Sequence, residues 1–424
     1  MRKLVITVSM LLTLPFASVW AQRLTLDECQ QKAQTYYPLI KQYGLIEKTR
    51  EYNLSNANKG YLPQFSLSGK ATYQSDVTKV PVELPGMSIK EMRKDQYQAL
   101  LQLDQVVWDG GNIHAQKGVT RAASDVERQK LDVDMYAINE RVNQLYFGIL
   151  LLEEQLRQNR SMQEELQRNY DNVKAYVANG IANQADLDAV RVEQLNTEQK
   201  RTAMEASHRA YCEMLKVMIN HPEALGENAL QKPDVNRLLS FGTEVVSRPE
   251  LSLFTAQNEQ LEAQRKMLTA KNLPKLGLFA QGAYGNPGLN MLKNEFSPYY
   301  IAGVRLSWNF GNLYTRKNES RQITLNQENV NVQRETFLFN TKLEMTQNNS
   351  EIKKLTELMK NDNEIIALRN NIKSSAQAKV ANGTLTVTEM LREVTAEDLA
   401  KQDKILHEIQ LLSAIYELRN TIGK

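Results

Sequence analysis

Apolar positions recur with a period of two in four short runs, strictly in the first, and each run predicts a strand. "QFSLSGKATYQ" sets Phe65, Leu67, Gly69, Ala71 and Tyr73 against Gln64, Ser66, Ser68, Lys70, Thr72 and Gln74. "YQALLQLD" puts Tyr97, Ala99, Leu101 and Leu103 on one face, and "KLGLFAQGAY" does the same with Leu276, Leu278, Ala280 and Tyr284. In "YIAGVRLSWNF", Tyr300, Ala302, Val304, Leu306, Trp308 and Phe310 oppose Arg305, Ser307 and Asn309. A period of two predicts strands at about 64–74, 96–108, 275–285 and 299–310. One apolar face, one small or polar face and aromatics near the ends is the pattern of a membrane barrel.

Around these runs the period changes to that of long helices. No proline interrupts Asn112–Ala178, and Ile138, Val142, Leu145, Ile149, Leu152 and Leu156 recur at steps of 4 and 3, a coiled-coil seam. About 67 residues at 1.5 Å each predict a rod on the order of 100 Å long. A second rod is predicted from Leu313 to Val380, and shorter helices from Gln184 to Ile219 and Val387 to Thr421, the latter with Ile405, Ile409, Leu412 and Tyr416 in register. Leu26–Ser55 and Pro249–Lys271 are also predicted helical. A helix of full length needs a partner of similar reach, so each return path is predicted to consist of two pieces laid end to end.

The sequence "VANG" stands at 177–180 and again at 380–383. Asn-Gly suits a tight turn, since both residues tolerate positive φ and Gly commonly ends a helix. Hairpin tips are therefore expected at 177–183 and 380–386. Further pairs align: "YLPQFSL" with "NLPKLGL", and "WDGGN" with "WNFGN". The chain reads as an internal duplication, residues 22–240 and 241–424, behind a signal peptide of residues 1–21.

Composition narrows the class. Arg2, Lys3 and the apolar run Leu4–Phe16 mark export, and without those two charges the net +3 becomes +1, which excludes a basic nucleic-acid binder. Mean hydropathy is −0.49, and after residue 21 no apolar run nears the roughly 18 residues of a membrane helix. Cys29 and Cys212 are too few for a disulfide scaffold and read best as packed thiols. His114, His208, His221 and His407 show no metal-ligand spacing, and no P-loop or G-x-S-x-G occurs, so no enzyme, metal or cofactor is expected. Four strands cannot close a barrel of about eight or more, and an open edge in lipid leaves backbone groups unpaired. Other copies must complete it, two giving eight strands and three giving twelve.

"LTLDECQQKAQTYYPLIKQYG", "YLPQFSLSG", "SRPEL" and the two tips, in this order and spacing, resemble the TolC family of outer-membrane efflux proteins. The resemblance spans the chain after residue 21. It implies a mainly α protein with a membrane β-barrel: four strands per protomer in a trimeric 12-stranded barrel, continued by a long coiled-coil α-helical tunnel into the periplasm. It implies a passive exit duct for a tripartite efflux or type I secretion system, partnered by a periplasmic adaptor and an inner-membrane RND or ABC-type transporter. The adaptor-docking tips map to Asn179, Gly180, Ile181, Asn382, Gly383 and Thr384, and the periplasmic entrance to Asp186, Glu389 and Arg392. Three positions depart from well-studied members: Leu385 replaces an arginine, Val380 a tyrosine and Arg392 an acid. Arg392 is therefore expected to pair with Asp186 or Asp188 of a neighbouring copy. The rival expectation is a periplasmic adaptor, which would have one hairpin and compact β-domains.

Overall fold

A computed structural model describes residues 23–78, 92–223, 225–235, 245–291 and 293–423. The predicted signal peptide, most of the connection between the first two strands, and the predicted boundary between the two repeats lie outside the described residues.

Helix α1 (Leu26–Tyr36) opens on a capping box between Thr25 and Glu28 and stops at Pro38, where a 3-10 turn leads to α2 (Lys41–Asn58). The segment predicted helical over Leu26–Ser55 thus consists of two helices. Proline lacks the amide a continuing helix needs, and it drives the preceding Tyr37 to an extended ψ of 135°. Strands β1 (Gln64–Tyr73) and β2 (Asp95–Trp108) follow, then α3 (Asn112–Tyr136) and α4 (Ile138–Ala178). Ala137 between them keeps helical dihedrals (φ −60°, ψ −19°), so the rod expected from Asn112 to Ala178 is continuous apart from one tightened turn. Its neighbour Tyr136 hydrogen-bonds the Asn420 carbonyl at 2.8 Å and lies under the Arg248 guanidinium, 5.0 Å from its ring centre.

After the first tip, α5 (Gln184–Ile219) returns along α4. The second half has α6 (Pro249–Lys271), β3 (Lys275–Asn286), β4 (Ser297–Ser307), α7 (Asn312–Ala381) and α8 (Val387–Ile422). With 70 residues, α7 is about 105 Å long. β4 stops short of the predicted 310: Trp308 and Phe310 leave the ladder and stack on each other, centroids 4.7 Å apart.

The strands form one antiparallel sheet in the order β1-β2-β3-β4. Below it the helices pack in the same order. α2, α3, α6 and α7 lie side by side nearest the sheet, and α5, α4, α8 and α7 lie side by side towards the tips. The protomer is a wall one layer thick and four elements wide, with β1, α2 and α5 along one edge and β4 and α7 along the other. Each long rod is flanked by two shorter pieces, as the lengths required.

Three apolar clusters hold the wall together, the smallest of them Leu355 of α7 with Leu411, Ala414 and Ile415 of α8. Midway, Leu26, Cys29, Val142, Tyr146, Ile149, Leu215, Ile219 and Leu412 join α1, α4, α5 and α8. Near the tips, Leu166, Val173, Val190, Val380, Val387 and Val394 join both hairpins. Cys29 and Cys212 are free, buried thiols, pushed up by burial to pKa values of about 12 and 11.

Candidate functional site

The two tips are built alike, bond for bond. In the first, the amide of Gly180 donates to the Val177 carbonyl (3.1 Å) and that of Ile181 to Tyr176 (2.9 Å). In the second, Gly383 donates to Val380 (2.9 Å) and Thr384 to Lys379 (2.9 Å). This pair of bonds is a Schellman ending, which needs a left-handed residue after the cap. Gly180 and Gly383 supply it at φ of 74° and 70°. Asn179 and Asn382 each donate a side-chain amide to the carbonyl four residues back, both at 2.9 Å. All six residues assigned to the docking tips are exposed.

Each returning helix then opens on a capping box. Asn183 accepts from the Asp186 amide (3.0 Å) while the Asp186 carboxylate accepts from the Asn183 amide (3.1 Å). Thr386 and Glu389 repeat this at 3.2 and 3.1 Å. The Thr386 hydroxyl and amide, and beyond them the Arg392 charge, hold the Glu389 carboxyl below its ordinary range. Asp186 and Glu389 therefore terminate helices whatever else they do. Arg392 is exposed one turn further on, and Leu385 and Val380 pack into the cluster shared by both hairpins. The two tips of one protomer are thus joined through apolar contact.

Between the hairpins runs a polar seam that periodicity did not reveal. Lys373 lies 3.8 Å from Glu165 and 3.6 Å from Glu397, all three largely buried. Gln377 donates to Glu165 (2.7 Å) and Asn169 (3.2 Å), and Lys401 pairs with Glu397. The residue after Glu397, Asp398, accepts from Gln158 (2.8 Å) and Gln402 (2.5 Å), and burial holds its carboxyl above the ordinary range. Further along, His407 approaches Asp362 at 3.0 Å. Among the described residues no group of three or more His, Cys, Asp or Glu could hold a metal ion.

At the far end, the register assigns every strand residue to a face. Phe65, Leu67, Leu101, Leu103, Ala280, Leu278, Val304 and Leu306 share one side. Ser66, Ser68, Lys70, Gln98, Gln102, Gln281 and Arg305 share the other. On that polar side Gln281 donates to Gln102 (2.9 Å), Arg305 pairs with Asp104 (3.1 Å), and its guanidinium covers the Phe279 ring at 4.7 Å. A bulge between Val106 and Trp108 pairs Trp108 with Leu276, which moves the indole to the apolar side. Among the described residues no helix is long and apolar enough to cross a membrane.

The chain thus presents a two-faced sheet continued by a one-layer helical wall. Solved structures agree. CusC, described as forming a transmembrane channel, is 13% identical with a TM-score of 0.69, over 94% of this chain and 91% of that one. The Campylobacter jejuni outer membrane channel CmeC is 13% identical with a TM-score of 0.64, over 94% and 85%. The Vibrio cholerae outer membrane protein VceC is 12% identical with a TM-score of 0.63, over 94% and 96%. At such identities the likeness is one of fold. Curated protein sequences give no match. By sequence, residues 30–218 are similar to the family of outer membrane efflux proteins.

Proposed function

We propose that this protein is the outer-membrane duct of a tripartite efflux or type I secretion system, a homotrimer through which solutes leave passively. The observation that carries the reading is the wall with two open edges. β1 and β4 each offer an unpaired row of backbone groups, which lipid does not tolerate. A head-to-tail contact between unlike edges closes into a ring, and three copies give twelve strands. The edges carry matching apolar stripes. On α7, Leu325, Val332 and Phe339 are exposed at intervals of seven, as are Leu358, Ile365 and Ile372. On the opposite edge Leu45 and Tyr52 of α2 and Val192, Leu195 and Met214 of α5 are exposed.

The apolar side of the sheet would face lipid. Phe65 and Tyr73 bracket β1, and Tyr300 and Trp308 bracket β4; both intervals are eight residues. That is about 27 Å along a strand and roughly 21 Å of height at a tilt of 40°, near the apolar band of such barrels. The tunnel would then reach on the order of 100 Å into the periplasm. There Asn179, Gly180, Ile181, Asn382, Gly383 and Thr384 would receive a periplasmic adaptor, itself joined to an RND or ABC-type inner-membrane transporter. Asp186 and Glu389 would line the entrance, with Arg392 facing Asp186 or Asp188 of the next copy. The deciding experiment fractionates the envelope, extracts the outer membrane in mild detergent and measures the protein-only mass. Three chains in that fraction is the expected result, and a soluble periplasmic monomer would refute the duct.

A further inference from the structure

Wherever the sheet meets the tunnel, the wall is basic. Lys59 begins the 3-10 turn that leads into β1, and Lys117 stands in the second turn of α3. Lys271 is the last residue of α6, and Arg316 and Lys317 lie in the opening turns of α7. Every one of the four helix–strand junctions thus carries a cation within about two turns of the sheet.

The carboxylates at the same level are already engaged. Asp109 is buried and accepts from the amides of Gly111 (2.9 Å) and Ile113 (2.6 Å), while Glu319 accepts from the Thr315 hydroxyl (2.7 Å). Among the described residues Lys271, Arg316 and Lys317 have no carboxylate within ion-pair distance, and Lys59 and Lys117 reach only the neutral side-chain oxygens of Asn56 (3.5 Å) and Asn58 (2.7 Å). Further down α7 the habit reverses: Lys354 pairs with Glu351 (2.7 Å) and Lys360 with Glu357 (2.8 Å). Pairing every three residues is easy on a helix, so its lack at the junctions leaves the charge free for something outside the chain.

The level is that of a lipid headgroup. Trp308 donates its indole N–H to the carbonyl of Asn272, the residue after Lys271, at 3.1 Å, so the backbone at the end of α6 meets the aromatic rim of the sheet. Tyr314, three residues before Lys317 on the same helix face, is 86% exposed. Arg316 and Lys317 stand about 6–8 Å along α7 from its start, and the headgroup layer outside a 30 Å hydrocarbon core is of similar depth. Long basic side chains can lay their stems on apolar surface and extend the cation to the phosphates.

We infer that Lys59, Lys117, Lys271, Arg316 and Lys317 form a collar around the base of the barrel that binds anionic phospholipid headgroups of the periplasm-facing leaflet. The inference rests on the barrel reading above. Its test therefore starts from wild-type protein whose trimeric mass and outer-membrane location have been measured, so a failure at that first step belongs to the duct and not to the collar. The trimer in mild detergent is then titrated with phosphatidylglycerol or phosphatidylcholine, and bound lipid is counted by native mass spectrometry at low and high salt. The expected result is preferential retention of phosphatidylglycerol that weakens with salt and falls about tenfold in K59Q/K117Q/K271Q/R316Q/K317Q. A control with K174Q/K353Q/K379Q, exposed lysines far from the sheet, should retain it as wild type does. Three outcomes would overturn the collar: equal retention of the two lipids by wild type, undiminished preference in the fivefold variant, or loss of that variant's trimer in lipid-free detergent, which would assign these cations to contacts between copies.

Discussion

Asp398 and its neighbours show how single residues tie the two hairpins. Its carboxylate is buried between α8 and α4, met by two neutral amides from Gln158 and Gln402, with the charges of Lys200 and Lys401 further away. Burial disfavours the ionised form, so the folded-state pKa lies above the unfolded value. The protonated acid is thus favoured on folding: stability falls as pH rises through the unfolded pKa and stops falling above the folded one. Asp398→Asn removes that titration while the glutamine amides can turn to suit it. The variant should melt a few degrees higher than wild type at pH 7 and lose its advantage towards pH 4, read from thermal unfolding of the solubilised protein. None of this seam was legible in the sequence. Gln158 and Asp398 are 240 positions apart, and Glu165 and Gln377 are 212 apart; each polar residue reads locally as a solvated helix position. The alternating strand faces, in contrast, were legible because a period of two leaves no choice of side, and only the bulge before Trp108 broke the count.

At the scale of elements, the tips do two jobs with one residue type. The Schellman turn and the capping box fix where α4 and α7 end and where α5 and α8 begin, and their signals, Asn-Gly followed by Asn-x-x-Asp or Thr-x-x-Glu, stand in the sequence. Helix ends were accordingly placed well, while the split of α1 from α2 came from a single proline. What the sequence could not separate is the cap from the proposed gate, since the same carboxylate would serve both. Glu389→Gln separates them: the amide oxygen still accepts from the Thr386 amide, but the charge is gone. Helical content and thermal midpoint should stay near wild type, whereas cation preference in planar bilayers should fall several-fold, because an acidic ring at a narrow mouth favours cations. Unchanged ion selectivity in a folded Glu389→Gln channel would leave the acid as a cap alone.

For the whole molecule, the decisive property is incompleteness. The described chain has one layer of sheet and helices, three apolar clusters within it, and two edges whose exposed apolar residues belong to none of them. Phe339 is 63% exposed and Val332 57% exposed on α7, in the middle of the stretch that runs beside only α6 and α8. Neither residue belongs to a cluster that holds the protomer together. Val332→Asp with Phe339→Asp should therefore leave helical content unchanged and act on assembly. Two carboxylates buried against a neighbouring copy would each lack a counter-charge, a cost of several kcal/mol per contact, and the proposed trimer would contain three such contacts. The expected outcome is a shift in protein-only mass from three chains to one, together with loss from the outer-membrane fraction, since an open four-stranded edge has no place in lipid. A double variant that still purifies as a trimer would show that the α7 stripe faces something other than the next copy, and closure would then have to be carried by the strand edges alone.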